Sequence, residues 1–189
     1  MIRIGILGDI GSGKTYVAKN FGYPVFDADY EVSKIYKKDK RIFKKLNKKL
    51  PKYIYSFPIN KKQITNAILK KKSNLRLIVS IIHKEIRKKF KLFLNKNKNK
   101  KIIIMDIPLL LENKINNKKD ILIFVDSKKT DRAKRLKKRI NFNKKLFNEF
   151  KKIQLKVGYK KRKSNFIIKN DFTKNKIKIS IRKILKQIL

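Results

Sequence analysis

The sequence predicts an α/β fold in which helices flank a parallel sheet. Three observations predict it. Short apolar runs read as strands: Ile2-Arg3-Ile4-Gly5-Ile6-Leu7, Ile102-Ile103-Ile104-Met105 and Ile121-Leu122-Ile123-Phe124-Val125. Helical periodicity fills the chain between them, as a sheet with crossover helices requires. Each run stops at a glycine or a carboxylate, namely Gly8, Asp106 and Asp126. Ligands of such sheets lie at the carboxyl ends of the strands, so these residues mark one functional edge. Finally, Gly8-Asp9-Ile10-Gly11-Ser12-Gly13-Lys14-Thr15 joins the first strand to the first helix. Strand, glycine loop and helix are the context of a Walker A phosphate loop.

The loop comes first in the chain and carries the most chemistry. Gly8 and Gly13 allow the backbone to curl with φ above zero and to approach a ligand closely. The curled amides then converge on one spot, which suits a phosphate. Lys14 reaches the β- and γ-phosphates, and the Thr15 hydroxyl can hold Mg²⁺. Gly11, Ser12, Gly13, Lys14, Thr15 and Tyr16 are therefore the nucleotide-binding candidates. A dinucleotide fingerprint is excluded, because its third glycine would fall at Tyr16.

Tyr23-Pro24-Val25-Phe26 reads as a second strand ending at Asp27-Ala28-Asp29. Residues 32–50 have helical spacing in two pieces, and Pro51 and Pro58 bracket a non-helical connection. Residues 61–72 and 75–94 are again helical, so 30–94 form an all-helical insertion between two strands. Asn95-Lys96-Asn97-Lys98-Asn99-Lys100-Lys101 is a polar loop that ends it. Helices are expected over 129–139 and, very basic, over 142–157. Asn165-Phe166-Ile167-Ile168 is a last short strand, followed by Asn170. Residues 177–189 close the chain as an amphipathic helix carrying Ile177, Ile179, Ile181 and Ile184.

Composition bounds the function. The 189 residues are one domain by length, with room for inserted subdomains. An apolar share of 41 % is ample for a core. Cysteine is absent, which excludes disulfides, thiolate metal sites and a cysteine nucleophile. No run is long enough for a membrane span and no signal-peptide pattern appears, so a soluble, cytoplasmic protein is expected. A monomer is expected, with an oligomer left open. The net charge of +42 invites a nucleic-acid reading. The basic residues are nevertheless scattered, are mostly lysine, and lack an interleaved aromatic stripe. No dedicated nucleic-acid partner is expected. The field would still speed the encounter with an anionic substrate.

Four further groups are candidates. Asp106 follows a wholly apolar strand, either as a Walker B carboxylate facing Mg²⁺ or as a turn residue. Asp27 and Asp29 lie two apart at a strand end. In extended chain they would point the same way, one to orient a hydroxyl and the other to cap a helix. His83, the one histidine, shares a helical face with Arg87; it is either a packed structural residue or part of an anion site. Arg132, Arg135 and Arg139 fall at helical spacing and could face one side, as a phosphate clamp or as a solvated face. Asn117-Lys118-Lys119-Asp120 has the form of a guanine-reading loop but precedes a strand rather than following one, so a GTPase is discounted.

Together these pieces resemble the dephospho-coenzyme A kinases. The likeness rests on the loop residues 5–15, on Phe26-Asp27-Ala28-Asp29, on His83 with Arg87, and on Met105-Asp106-Ile107-Pro108-Leu109-Leu110-Leu111-Glu112. Arg135, Arg139, Gln154 and Phe166-Ile167-Ile168-Lys169-Asn170 extend it along nearly the whole chain. It implies a P-loop kinase with a nucleotide core (1–29, 95–134 and 163–189), a helical substrate domain (30–94) and a lid (135–162). The implied reaction moves the γ-phosphoryl of ATP, with Mg²⁺, to the ribose 3′-hydroxyl of dephospho-coenzyme A. Asp29 matches the family's base, with Lys14 and Arg139 as its catalytic companions. His83, Arg87 and Leu109 would hold substrate; Arg135, Arg139 and Asn170 would reach the nucleotide; Thr15 and Asp106 would hold the metal. The chain departs from the pattern at Asp9, where glycine is common, at Lys84 after the histidine, and at Ser164-Asn165. The alternatives are another nucleoside or nucleotide kinase on this core, or a basic nucleic-acid-binding P-loop protein.

Overall fold

A computed structural model of the protein describes residues 1–139 and 142–189. In chain order the elements are β1 (Ile2–Gly8), α1 (Lys14–Lys19), β2 (Val25–Asp27), α2 (Ala28–Lys38), α3 (Lys40–Lys49), α4 (Lys61–Lys70), α5 (Lys72–Lys96), β3 (Ile102–Asp106) and β4 (Ile121–Asp126). Then follow α6 (Lys129–Lys137), α7 (Lys144–Lys152), α8 (Val157–Arg162), β5 (Phe166–Lys169) and α9 (Lys174–Ile188). The five strands form one parallel sheet in the order β2-β3-β1-β4-β5. The chain divides into two compact units: Met1–Asp27 with Asn97–Phe142 and Ile153–Leu189, and Ala28–Lys96 with Asn143–Lys152.

The first unit is the sheet and its cover. Every residue of β3 is buried, which explains the unbroken apolar run. Register assigns the two faces. Ile4, Ile6, Ile102, Ile104, Ile123 and Val125 share one cluster with Val17 and Ala18 of α1 and with Ile177, Ile181 and Ile184 of α9. Each isoleucine or valine among them contributes about 1.5–3 kcal/mol by leaving water. On β1, Gly5 permits close cover: a Cβ there would lie 2.6 Å from Leu110 and 2.9 Å from Leu122. The spacing of 177, 181 and 184 puts one stripe of α9 on the sheet. Ile179 was expected on that stripe but falls on the other side and is half exposed.

The second unit is helical. Asp39 separates α2 from α3 because its carboxylate caps α3, accepting the Arg41 and Ile42 amides. Asn60 caps α4 in the same way through the Gln63 amide. α5 packs against α2, α3 and α4, and α7 packs against α4.

Two local expectations fail here. The basic helix foreseen over 142–157 is two helices, α7 and α8. The Leu155 amide leaves the helical ladder and donates to Glu112 Oε1 at 3.0 Å, so the chain turns between them. The chain is also not extended at Asp29, because α2 starts at Ala28 directly after β2. Asp27 therefore ends a strand while Asp29 stands in the first turn of a helix, so the extended chain that a shared direction required is not present.

Candidate active site

The phosphate loop sits where the strand–loop–helix pattern put it. Gly11 and Gly13 have φ of 83° and 89°, the left-handed region in which a side chain is strained. Gly13 also has no room for one, since a Cβ would lie 2.4 Å from Asn170 Nδ2. The Ser12 amide closes the curl by donating to Asp9 O at 3.2 Å. Lys14 folds back over the loop and donates to Asp9 O at 2.9 Å and Gly8 O at 3.3 Å. Ser12 Oγ is buried and has no hydrogen-bond partner among the described residues. Thr15 and Tyr16 are exposed at the start of α1. A curled glycine backbone with an unsatisfied buried hydroxyl and a lysine is a cradle for an anion.

Asn170 clamps this loop from behind. Its Nδ2 donates to Ser12 O at 2.8 Å, its Oδ1 accepts the Phe172 amide at 2.8 Å, and the residue is buried. The site candidate at the end of β5 thus contacts the loop backbone itself.

α6 forms a wall beside the loop, and it separates the three arginines that periodicity had grouped. Arg132 Nη2 pairs with Asp9 Oδ2 at 3.0 Å, and its Nη1 donates to Ser127 O. Leu136 fills the space beside Gly11. Arg135 stands 4.2 Å over the Phe172 ring and is exposed on its other side. The helix ends at Lys137, so Arg139 lies beyond it, exposed, rather than on the face of the other two. Positions 140 and 141, within the span expected as a lid, lie outside the described residues.

The carboxylates at the strand ends come together as topology dictates. Asp27 of β2 and Asp106 of β3 are register partners on adjacent strands, and Asp106 is buried. Adjacent parallel strands run about 4.8 Å apart, so the two carboxylates share one corner of the edge. Asp126, at the end of β4, takes Lys161 of α8 at 2.7 Å. Beyond Asp106 the chain turns through Leu109, whose carbonyl accepts the Asn113 amides, to Glu112. There Glu112 meets the buried Lys160 at 2.8 Å, and Lys160 also reaches Gln154 Oε1 at 3.1 Å. The Asp106–Glu112 stretch thereby anchors α8 as well as ending β3.

The remaining candidates belong to the helical unit. Asp29 is exposed in the first turn of α2. Lys89 of α5 bridges to Glu31 of α2 at 3.3 Å, which ties Asp29's helix to the one that carries His83 and Arg87. Burial, and then the charge of Arg87, hold the half-buried His83 below its ordinary pKa. Arg87, one turn on, is exposed.

The Asn117–Asp120 pattern has another job. Asp120 is buried at the opposite end of the sheet, where it accepts the Asn117 amide at 2.8 Å and takes both Arg3 Nε and Arg3 Nη2 at 3.0 Å. Sequence reasoning also missed the roles of Arg132 and Phe172. Asp9 among the glycines was a signal that the loop needs a cation, but a partner 123 residues away is not written in local spacing. Phe172, a bulky residue at φ 66°, left no signal in the sequence.

The family model for dephospho-CoA kinase (CoaE) matches residues 2–176. A dephospho-CoA kinase of Wolbachia sp. subsp. Brugia malayi is 32 % identical over 187 residues, covering 96 % of this chain and 95 % of that protein. One from Zymomonas mobilis is 29 % identical over 173 residues, covering 90 % of this chain and 88 % of its own. Among solved structures, the dephospho-CoA kinase from Campylobacter jejuni superposes with a TM-score of 0.63 at 19 % identity, covering 98 % of this chain and 96 % of that one. Shikimate kinase from Acinetobacter baumannii reaches 0.54 at 13 % identity over 100 % of this chain and 93 % of its own, a likeness of fold alone.

Proposed function

The chain belongs to the dephospho-CoA kinase family, and on that premise we propose how its residues move a phosphoryl group from ATP to the ribose 3′-hydroxyl of dephospho-coenzyme A. The observation that carries the reading is the phosphate loop: glycine curl, orphaned Ser12 hydroxyl and overlying Lys14 within a chain that the family model matches over residues 2–176.

Little covalent work falls to the protein in such a transfer, and positioning does most of it. On binding, Lys14 exchanges the Gly8 and Asp9 carbonyls for the β- and γ-phosphates. The amides of 11–16 hold the phosphates from below, and Asn170 keeps that backbone in shape. Arg135 and Arg139 neutralise charge as the phosphoryl group leaves. Asp29 aims the 3′-hydroxyl and accepts its proton, with His83, Arg87 and Leu109 holding the rest of the substrate. Residues 30–94 are the substrate domain and 135–162 the lid, which excludes water as a competing acceptor.

The donors present fit Mg²⁺. Thr15 offers a hydroxyl, and Asp106 a carboxylate register-matched to Asp27, so the set is all oxygen. Thr15 and Asp106 would hold the ion, which supplies charge neutralisation on the phosphates when bound.

The test is ATP consumption with and without dephospho-coenzyme A, with the product identified. Coenzyme A formed in step with ADP is the expected result. ATP turnover with a nucleoside or nucleotide acceptor, but none with dephospho-coenzyme A, would overturn the reading.

A further inference from the structure

A carboxylate inside a phosphate-binding loop opposes the charge that the loop must hold. Asp9 is such a residue, and each of its oxygens is engaged. Oδ1 accepts the Ile10 amide at 2.8 Å, and the carbonyl accepts the Ser12 amide at 3.2 Å and Lys14 Nζ at 2.9 Å. Oδ2 takes Arg132 Nη2 at 3.0 Å. The two side chains are only 18 % and 19 % exposed, so water screens the pair weakly. The guanidinium is fixed at its other end by the Ser127 carbonyl, in the turn between β4 and α6. Leu136, one turn along the same helix, packs at Gly11. Asp9 and Arg132 thus pin the loop to α6 at one end while Asn170 pins it at the other.

We infer that Arg132 is a positioning residue: it cancels the Asp9 charge and holds the loop open to an anion, without itself touching the phosphates. Periodicity had grouped Arg132 with Arg135 and Arg139 as a phosphate clamp, and its geometry separates it from them. The inference rests on the reading of this loop as the ATP site. Arg132→Gln leaves a bare carboxylate beside the bound phosphates. Asp9→Asn added to it removes that carboxylate and keeps an acceptor for the Ile10 amide.

The experiment compares the full-length wild type, Arg132→Gln and Asp9→Asn/Arg132→Gln, with KM for ATP, kcat and direct ATP binding measured on each. Arg132→Gln should raise KM for ATP at least tenfold while kcat changes less than threefold, and the double variant should regain most of the loss. A KM within twofold of wild type in Arg132→Gln would overturn the inference. So would a double variant no better than the single one, which would make Arg132 a direct phosphate ligand. If Arg132→Gln does not fold, Arg132→Lys decides. It keeps the charge, so KM should rise no more than threefold, and a tenfold rise in the folded variant would overturn the inference. A wild type that binds no ATP at all would instead sink the kinase reading, so the two failures are distinguishable.

Discussion

The two ends of β1 each carry an arginine–carboxylate pair, and the pairs do different work. At the amino end, Arg3 grips Asp120 with two nitrogens, and the carboxylate is 2 % exposed. Burial holds the Asp120 carboxyl above its usual range, although the Asn117 amide and Arg3 pull the other way. This pair joins β1 to the start of β4, away from the strand ends where ligands gather. At the carboxyl end, Asp9 and Arg132 pair with one contact, partly open to water, on the loop itself. The same pairing that locks the sheet at one end lies, at the other, on the loop proposed to hold an anion. The residue types do not decide which; the end of the strand does.

The largest effect that could break this contrast is at the amino end. Asp120→Ala strands a largely buried guanidinium, a loss of about 3 kcal/mol. For a chain of this size that lowers the melting temperature by roughly 6–12 °C. Turnover of the folded fraction should stay within twofold. A parallel loss of kcat in fully folded protein would mean that the amino end also serves catalysis.

A smaller effect, on chemistry alone, is expected just past the carboxyl end of β2. Asp29→Asn should leave ATP binding nearly intact and cut turnover at least tenfold, about 1.4 kcal/mol in the barrier. Steady-state kinetics beside a binding isotherm would show this. Unchanged turnover would remove Asp29 from the mechanism and leave it as a helix-start residue that favours the dipole.

The smallest effect lies in the helical unit. His83 has a depressed pKa, first through burial and then through Arg87, so the unfolded chain takes up its proton more readily than the folded one. Its stability contribution is complete above about pH 6.5 and is lost as pH falls through the folded value. The ring is only partly buried, so this is the smallest of the three effects. Replacing His83 with Gln should flatten the dependence of melting temperature on pH between about 7 and 5. An unaltered slope would assign that dependence to other groups.

Much of this was legible locally. Unbroken apolar runs such as 102–105 announced strands buried on both faces, because they are short and rich in β-branched isoleucine. The glycine loop announced its own curl, because φ values of 83° and 89° are accessible to glycine and little else. The end of β3 at Asp106 was legible because its apolar run stops there. Errors came where a local pattern competes with a distant partner. The basic stretch 142–157 kept helical spacing, yet Glu112 drew the Leu155 amide out of the helix. Arg132, Arg135 and Arg139 kept helical spacing too, but α6 stops at Lys137, and Asp9 and Phe172 claim the first two.

By itself the sequence determined the order of the elements, the phosphate loop and the family, since these depend on periodicity, glycine and short-range spacing. Only the tertiary structure decided that Asp27 stands beside Asp106, that Asn170 braces Ser12, and that the charge of Arg132 answers Asp9. The physical reason is that hydrogen bonds and ion pairs act over a few ångströms of space. The parallel order β2-β3-β1-β4-β5 makes neighbours of residues that the chain holds far apart.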